Sequence, residues 1–240
     1  MIMNRTPQLL EDVAPGEERS YLPGMGKDWL LPLYDPLTRL VGIHRRQRRL
    51  IELAALAPGQ KLLDVGCGTG NLLQTIARDR PGLELAGLDP DRKALARAAR
   101  KLRRAAGPGT STTLIHGYGD RLPFPDGSLD RVISTMALHH LDTAARQGFA
   151  AEAYRVLRSG GRIAILDFGG PVGHSDDHGH HHHRDHGRMW RRSVASPEVQ
   201  QNLGDGLPRL LRDAGFVDAA EVDHEDSRMS PFSYVLATRP

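Results

Sequence analysis

The stretch KLLDVGCGTGNLL, Lys61 to Leu73, carries an apolar run straight into glycine at every second position. The run reads as a buried strand and the residues from about 70 as the start of a helix, so the glycines fall in a strand-to-helix turn. Gly66, Gly68 and Gly70 remove Cβ atoms where the backbone must turn sharply and approach a ligand. A dinucleotide fingerprint would read GxGxxG and place its third glycine at position 71, which here is Asn71; the spacing is GxGxG. Asp64, just ahead of the turn, would serve a pyrophosphate poorly and a cation well, or it could organise the loop through backbone N–H groups. Taken alone, a glycine-rich turn can also be purely structural.

Short apolar runs alternate with helical patterns on the C-terminal side of this turn. ELAGLD (84–89), TTLIH (112–116), RVIST (131–135) and RIAILDF (162–168) read as further strands, with helices near 70–79, 91–105 and 143–157 between them. That alternation predicts βαβ units and a mostly parallel sheet covered by helices on both faces. A helix from about Pro197 to Ala214 and two strands near 216–224 and 232–238 complete an expected seven-stranded α/β sheet. Before the glycine turn, Pro36 to about Leu56 approximates an amphipathic helix. The expected organisation is an N-terminal arm and helix over 1–56, able to lie over a substrate as a lid, and a ligand-binding domain over 57–240.

The 240 residues are 39% hydrophobic and 25% charged, as in a soluble globular protein. No run approaches the roughly 18 apolar residues of a membrane span, and the N-terminus has no apolar signal core. Cys67 is the one cysteine, which excludes an internal disulfide framework and a cysteine-built zinc site and predicts a cytoplasmic location. The net charge of +3 is unevenly spread: HRRQRR (His44 to Arg49) and RAARKLRR (Arg97 to Arg104) concentrate cations on two helices. These are solvated faces or peripheral contacts with a membrane surface. Nucleic acid is not an expected partner, since no aromatic side chains interleave the runs for base stacking.

The second strand ends in Asp89, about twenty residues beyond the glycines, where a carboxylate can accept both hydroxyls of a ribose. A nucleoside carrying positive charge and no phosphate fits both Asp64 and Asp89, and S-adenosylmethionine is such a molecule. With LLDVGCGTGNL and GLDPD stand YDPLTRLVGIHRRQRR, GDRLPFPDGSLDRVIST, EAYRVLRSGGRIAILDF and LLRDAGF, in that order along the chain apart from the first, which precedes the glycine turn. On these residues the sequence resembles the class I S-adenosylmethionine-dependent methyltransferases. It is most similar to the ubiquinone/menaquinone C-methyltransferase group and its small-molecule relatives. The resemblance implies a Rossmann-like methyltransferase fold. It implies that Asp64, Gly66, Cys67, Gly68, Thr69 and Gly70 surround the methionine part of the cofactor and that Asp89 and Pro90 meet the ribose. Tyr118, Gly119 and Asp120 would hold adenine, and Thr135 and Met136 would flank the cofactor after the fourth of the expected strands. Tyr118 departs from the family, which usually has Asp or Asn there.

Methyl transfer from a sulfonium is an in-line displacement, so alignment supplies much of the rate, and an acid–base residue is needed only where the acceptor must lose a proton. His139 and His140, in TMALHHLD, are the candidates for that role. The acceptor is expected to be a small, partly apolar molecule. Arsenite methylation is disfavoured because it needs several cysteines. The remaining unusual stretch is GHSDDHGHHHHRDHG, 173–187. His174, His178, His180, His181, His182, His183 and His186 could loosely bind nickel, zinc or copper outside any reaction centre, or form a solvated insertion. The other reading is therefore a non-catalytic S-adenosylmethionine-binding metal sensor or metal-handling protein.

Overall fold

A computed structural model describes residues 7–12, 42–105, 109–170, 196–225 and 231–240. The elements in chain order are β1 (Gln8–Glu11), α1 (Ile43–Leu53), β2 (Lys61–Val65), α2 (Asn71–Asp79), β3 (Glu84–Asp89), α3 (Arg92–Ala105), β4 (Ser111–His116) and β5 (Leu129–Thr135). A 3₁₀ turn (Leu138–His140), α4 (Thr143–Val156), β6 (Leu157–Phe168), α5 (Pro197–Gln200), α6 (Gly206–Asp213), β7 (Val217–Glu225) and β8 (Phe232–Thr238) follow. The strands form one sheet in the order β1-β4-β3-β2-β5-β6-β8-β7. All neighbours pair in parallel except β8, which runs antiparallel to both β6 and β7.

Strand alternation divides the core into two layers, because successive side chains point to opposite faces. Leu63, Val132, Ile163 and Ile165 face α4 and α6, where they meet Phe149, Ala153, Val156, Leu207 and Leu211. Their sequence neighbours Leu62, Ile133, Ala164 and Leu166 face the other way, against Leu50, Leu72, Leu73, Ile76, Leu95 and Leu102 of α1, α2 and α3. Both faces are apolar because both are covered, as a parallel sheet requires. Each wholly buried leucine contributes about 1.5–3 kcal/mol by leaving water. Leu50, Ile51 and Ala54 join α1 to this layer beside Leu62 of β2.

The chain order reverses between β2 and β5: β2, β3 and β4 step outward to one side and β5 and β6 to the other. This places a crevice at the carboxyl ends of β2 and β5, the usual ligand position in such sheets. The structure departs from the sequence reading in two places. An eighth strand, β1, joins the free edge of β4, with Gln8 opposite Thr113 and Glu11 opposite His116. The expected helix over 197–214 is two helices, because the chain turns through Gly204, whose φ is +58° and whose N–H bonds to Gly170 O at 2.8 Å. Among the described residues no helix is long and apolar enough to cross a membrane. The candidate lid (21–34), the start of the first predicted helix (36–41) and the histidine stretch (173–187) lie outside the described residues.

Candidate functional site

The glycine turn folds back onto β3: the N–H groups of Gly66 and Cys67 both donate to Leu88 O, at 2.8 and 3.1 Å. Gly66 has φ +77°, and a Cβ there would sit 2.5 Å from the Ala137 Cβ. Gly68 has φ +52° but nothing within 4 Å of where its Cβ would be, so its bare backbone faces open space. The two glycines answer different needs, close packing against the chain after β5 and access for a ligand. Gly70 caps α2 on the side of α3.

Two carboxyl groups lie under and beside this turn. Asp89, 8% exposed, accepts from Gly68 N (2.7 Å) through Oδ2 and from Asp91 N (2.8 Å) through Oδ1. Burial pushes its pKa up to about 6, against the lowering effect of those backbone hydrogen bonds. Asp64 is 1% exposed and its Oδ1 has no hydrogen-bond partner. Burial, and then the Asp89 charge, push its pKa up to about 8. The Cys67 thiol is driven well above its usual range by burial and then by the Asp89 and Asp64 charges, so it is an unreactive, packed thiol. Lys101 of α3 donates to Thr69 Oγ1 (3.0 Å) and Asn71 Oδ1 (2.7 Å), bracing the far end of the turn.

The turn and Asp89 border a cavity of about 420 Å³ at the carboxyl ends of the central strands. Of the expected cofactor residues, Gly66, Gly68, Thr69, Asp89, Pro90, Tyr118, Gly119, Asp120, Thr135 and Met136 line it. Asp64, Cys67 and Gly70 do not: the first two are buried behind the turn and the third packs towards Ala98. These three therefore sit one layer beneath the cavity wall. Met136 has φ +56°, a conformation costly for a side chain of its size, held by its N–H to Leu166 O at 2.8 Å. Thr135 Oγ1 is buried without a partner. Leu138, Leu141, Ala145 and Phe149 give the remaining wall an apolar character. No lysine or arginine lines the cavity among the described residues.

The expected catalytic pair separates. His140 lines the cavity; burial and then the neighbouring His139 push its pKa down to about 4, so it is neutral near pH 7. His139 does not line it and turns instead to Asp167, with Nδ1 to Oδ1 at 2.7 Å. Asp167, fully buried, also accepts from Leu138 N (2.8 Å), His139 N (3.4 Å) and Phe168 N (2.7 Å). Burial alone would raise this carboxyl, but the His139 charge and these hydrogen bonds together hold it below the ordinary range. The two rings lie 4.0 Å apart, so His139 fixes the turn that presents His140. Arg146 fixes the same turn from behind, donating to Leu138 O (3.2 Å) and Asn202 Oδ1 (2.6 Å).

Asp167, Lys101, Arg146 and the apolar wall were missed by sequence reasoning. Asp167 carried a usable signal, a carboxylate at the end of an otherwise apolar strand. Lys101 was hidden within a basic run. Among the described residues no group of three His, Cys, Asp or Glu side chains could hold a metal ion.

Residues 62–161 match the family described as "Methyltransferase domain". The chain is 35% identical over 147 residues to the demethylmenaquinone methyltransferase of Thermus thermophilus, covering 59% of this chain and 64% of that protein. It is 33% identical over 161 residues to the ubiquinone/menaquinone biosynthesis C-methyltransferase of Syntrophotalea carbinolica, covering 64% of this chain and 66% of that one. The chain thus spans just under two thirds of the length of these relatives. In fold it is similar to phosphoethanolamine N-methyltransferase 2 of Haemonchus contortus in complex with S-adenosyl-L-methionine, with TM-score 0.60, 16% identity, and 82% and 52% of the two chains covered. The strand order, the glycine turn and the match converge: residues 62–161 form a methyltransferase domain of Rossmann-like fold.

Proposed function

We propose that the protein transfers a methyl group from S-adenosylmethionine to a small, partly apolar acceptor, without a metal at the reaction centre. The observation that carries this reading is the charge of the cavity. Its floor holds Asp89 and, beneath, Asp64 with an unpartnered Oδ1, and no basic side chain among the described residues lines its wall. Such a site rejects a phosphate and suits a cationic nucleoside. When bound, S-adenosylmethionine supplies an electrophilic methyl group on a sulfonium cation.

The residues of the chain have distinct tasks in this reading. Asp89 offers its carboxylate to ribose hydroxyls, while its bond from Gly68 N fixes the turn. Asp64, buried behind the turn and protonated near pH 7 in the empty site, ionises when the cationic cofactor binds. Tyr118, Gly119 and Asp120 border the position of adenine, and Thr135 and Met136 border the reacting end. Leu138, Leu141, Ala145 and Phe149 exclude water from the acceptor. His140, neutral near pH 7, accepts a hydrogen bond from an acceptor hydroxyl and can take its proton, and His139 is its positioning residue. In-line alignment then supplies much of the rate.

Relatives named for demethylmenaquinone and ubiquinone/menaquinone support an apolar, hydroxylated ring as acceptor. The test is to supply methyl-labelled S-adenosylmethionine with a panel of quinols, phenols, amines and thiols, with and without a chelator. Label in an apolar quinol or phenol, undiminished by chelation, is the expected result. Cofactor binding without transfer to any acceptor would replace this reading with a non-catalytic one.

A further inference from the structure

The two basic runs in the sequence have opposite fates in the fold. On α1, Arg46 is buried, pairs with Glu225 (3.0 Å) and lies over the Phe232 ring at 4.2 Å. Arg49 pairs with Asp223 (2.7 Å), and Arg48 approaches Asp79 (3.7 Å). Three of the four arginines of that run are thus engaged with the body of the protein, and Arg45 is exposed. On α3, RKALARAARKLRRA contains no acidic residue. Arg100, Arg103 and Arg104 are exposed and have no ion-pair partner among the described residues.

At about 100° per residue, Lys93, Arg97, Arg100 and Arg104 fall in one stripe running some 16 Å along the helix. Ala94, Leu95, Ala98 and Leu102 make the buried side. Arg103 and Arg104 complement the negative end of the helix dipole, which explains cations in the last turn but not Arg100 in the middle. Beside α3 lies β1, whose Leu9 and Leu10 are 54% and 49% exposed. Glu11, next in the strand, is joined to Arg92 at the start of α3 at 3.1 Å. Cations and exposed aliphatic side chains therefore share one edge of the molecule.

We propose that this edge, the outer stripe of α3 with Leu9 or Leu10 of β1, docks on an anionic lipid bilayer. Arginines meet lipid phosphates, and the leucine on the same face enters the acyl boundary, the combination that interfacial binding requires. Nucleic acid fits less well, because α3 and β1 carry no aromatic side chain to stack on bases. Ala94, in the first turn of α3, lines the cavity from the buried side of the helix, so docking along the outer stripe leaves the cavity about one helix diameter from the lipid surface.

The experiment is flotation of the full chain with vesicles of phosphatidylcholine alone or mixed with one third phosphatidylglycerol, without cofactor or acceptor. Binding is expected only to the anionic vesicles. The variant Arg100→Gln/Arg103→Gln/Arg104→Gln should lose about fivefold per arginine, on the order of a hundredfold in all. A control of equal charge change, Arg45→Gln/Arg80→Gln/Arg209→Gln, should lose far less, and Leu9→Ser/Leu10→Ser should weaken vesicle binding while leaving heparin binding intact. Equal loss in the two arginine variants, no binding by the wild type, or tighter binding to an oligonucleotide than to vesicles at the same salt would each overturn the proposal. Cofactor affinity of the α3 variant, measured by calorimetry, should be unchanged, so this test stands apart from the proposed methyl transfer.

Discussion

Asp64→Asn should make the cofactor-free protein more stable at neutral pH, although it removes a residue of the glycine-turn motif. Asp64 is buried, its Oδ1 lacks a partner, and its pKa is pushed from 3.8 up to about 8. A group whose folded pKa lies above its unfolded value gives stability that is present below the unfolded value and lost as pH rises through the folded one. The loss should therefore run from about pH 4 to about pH 8. At pH 7 the 3.2 units between 3.8 and 7, at 1.36 kcal/mol each, amount to about 4 kcal/mol. The amide is nearly isosteric with the protonated acid and cannot ionise. Urea denaturation without cofactor should show the two proteins alike near pH 4 and the variant ahead by about 4 kcal/mol at pH 7. Asp89, raised to about 6, should impose a smaller loss on both proteins as pH rises, the wild-type pair titrating together. A cationic cofactor reverses the preference by favouring the ionised pair, so binding should release protons at pH 7 in the wild type and fewer in the variant. Calorimetry in two buffers of different ionisation enthalpy reads that release. A stability difference that stays constant between pH 4 and 8 would refute the reasoning.

Asp89→Ala should weaken cofactor binding by about 1.5–3 kcal/mol, the scale of hydrogen bonds to a charged group, and unchanged affinity by calorimetry would remove the ribose assignment. Asp167→Ala should cost about 3 kcal/mol or more in urea denaturation, because it leaves His139 and the N–H groups of Leu138 and Phe168 without their acceptor. Since the Asp167 carboxyl is held below its ordinary range, its contribution should be full above the unfolded value near 4 and be lost as pH falls through its lowered pKa. Replacing all the histidines between His174 and His186 with serine should abolish uptake of nickel, zinc or copper and leave cofactor affinity nearly unchanged. The wild-type uptake should fall as pH drops through about 6.5, where imidazole protonates. Equal metal stoichiometry in the two proteins, measured by elemental analysis, would end that reading.

The parts of the fold that were legible in the sequence are those decided within a few residues. The strand 84–89 and the strand 232–238 were readable to the residue, because apolar side chains on both faces bounded by turn residues leave little choice of ends. The same holds for the glycine turn, where backbone conformation and close approach are local demands. What escaped depends on contacts distant in sequence. QLLE has no alternation to mark it as a strand; it pairs because β4 presents a free edge about a hundred residues later, and Glu11 finds His116 there at 3.0 Å. The break at Gly204 required a partner at Gly170. The histidine pair looked like one chemical unit because the residues are adjacent, but Asp167, 28 positions away, takes one ring and leaves the other to the cavity.

The same distinction governs the charged residues, and it bears on function. HRRQRR and RAARKLRR are nearly indistinguishable as strings. What separates them is the acid that the fold brings to each: Asp79 at the end of α2 and Asp223 and Glu225 from β7 meet the first, and no described acidic residue meets Arg100, Arg103 or Arg104 in the second. A buried or bridged arginine has exchanged water for a fixed partner and has little left to offer a second one. An exposed, unbridged arginine retains its full hydration and its field, which extends about 8–10 Å at physiological salt. Long-range attraction to an anionic surface is therefore concentrated on α3, although the runs carry similar charge, four cations in the first and five in the second. The two arginine-to-glutamine variants make that argument measurable: they change the net charge identically and differ in whether the cations removed lie on α3.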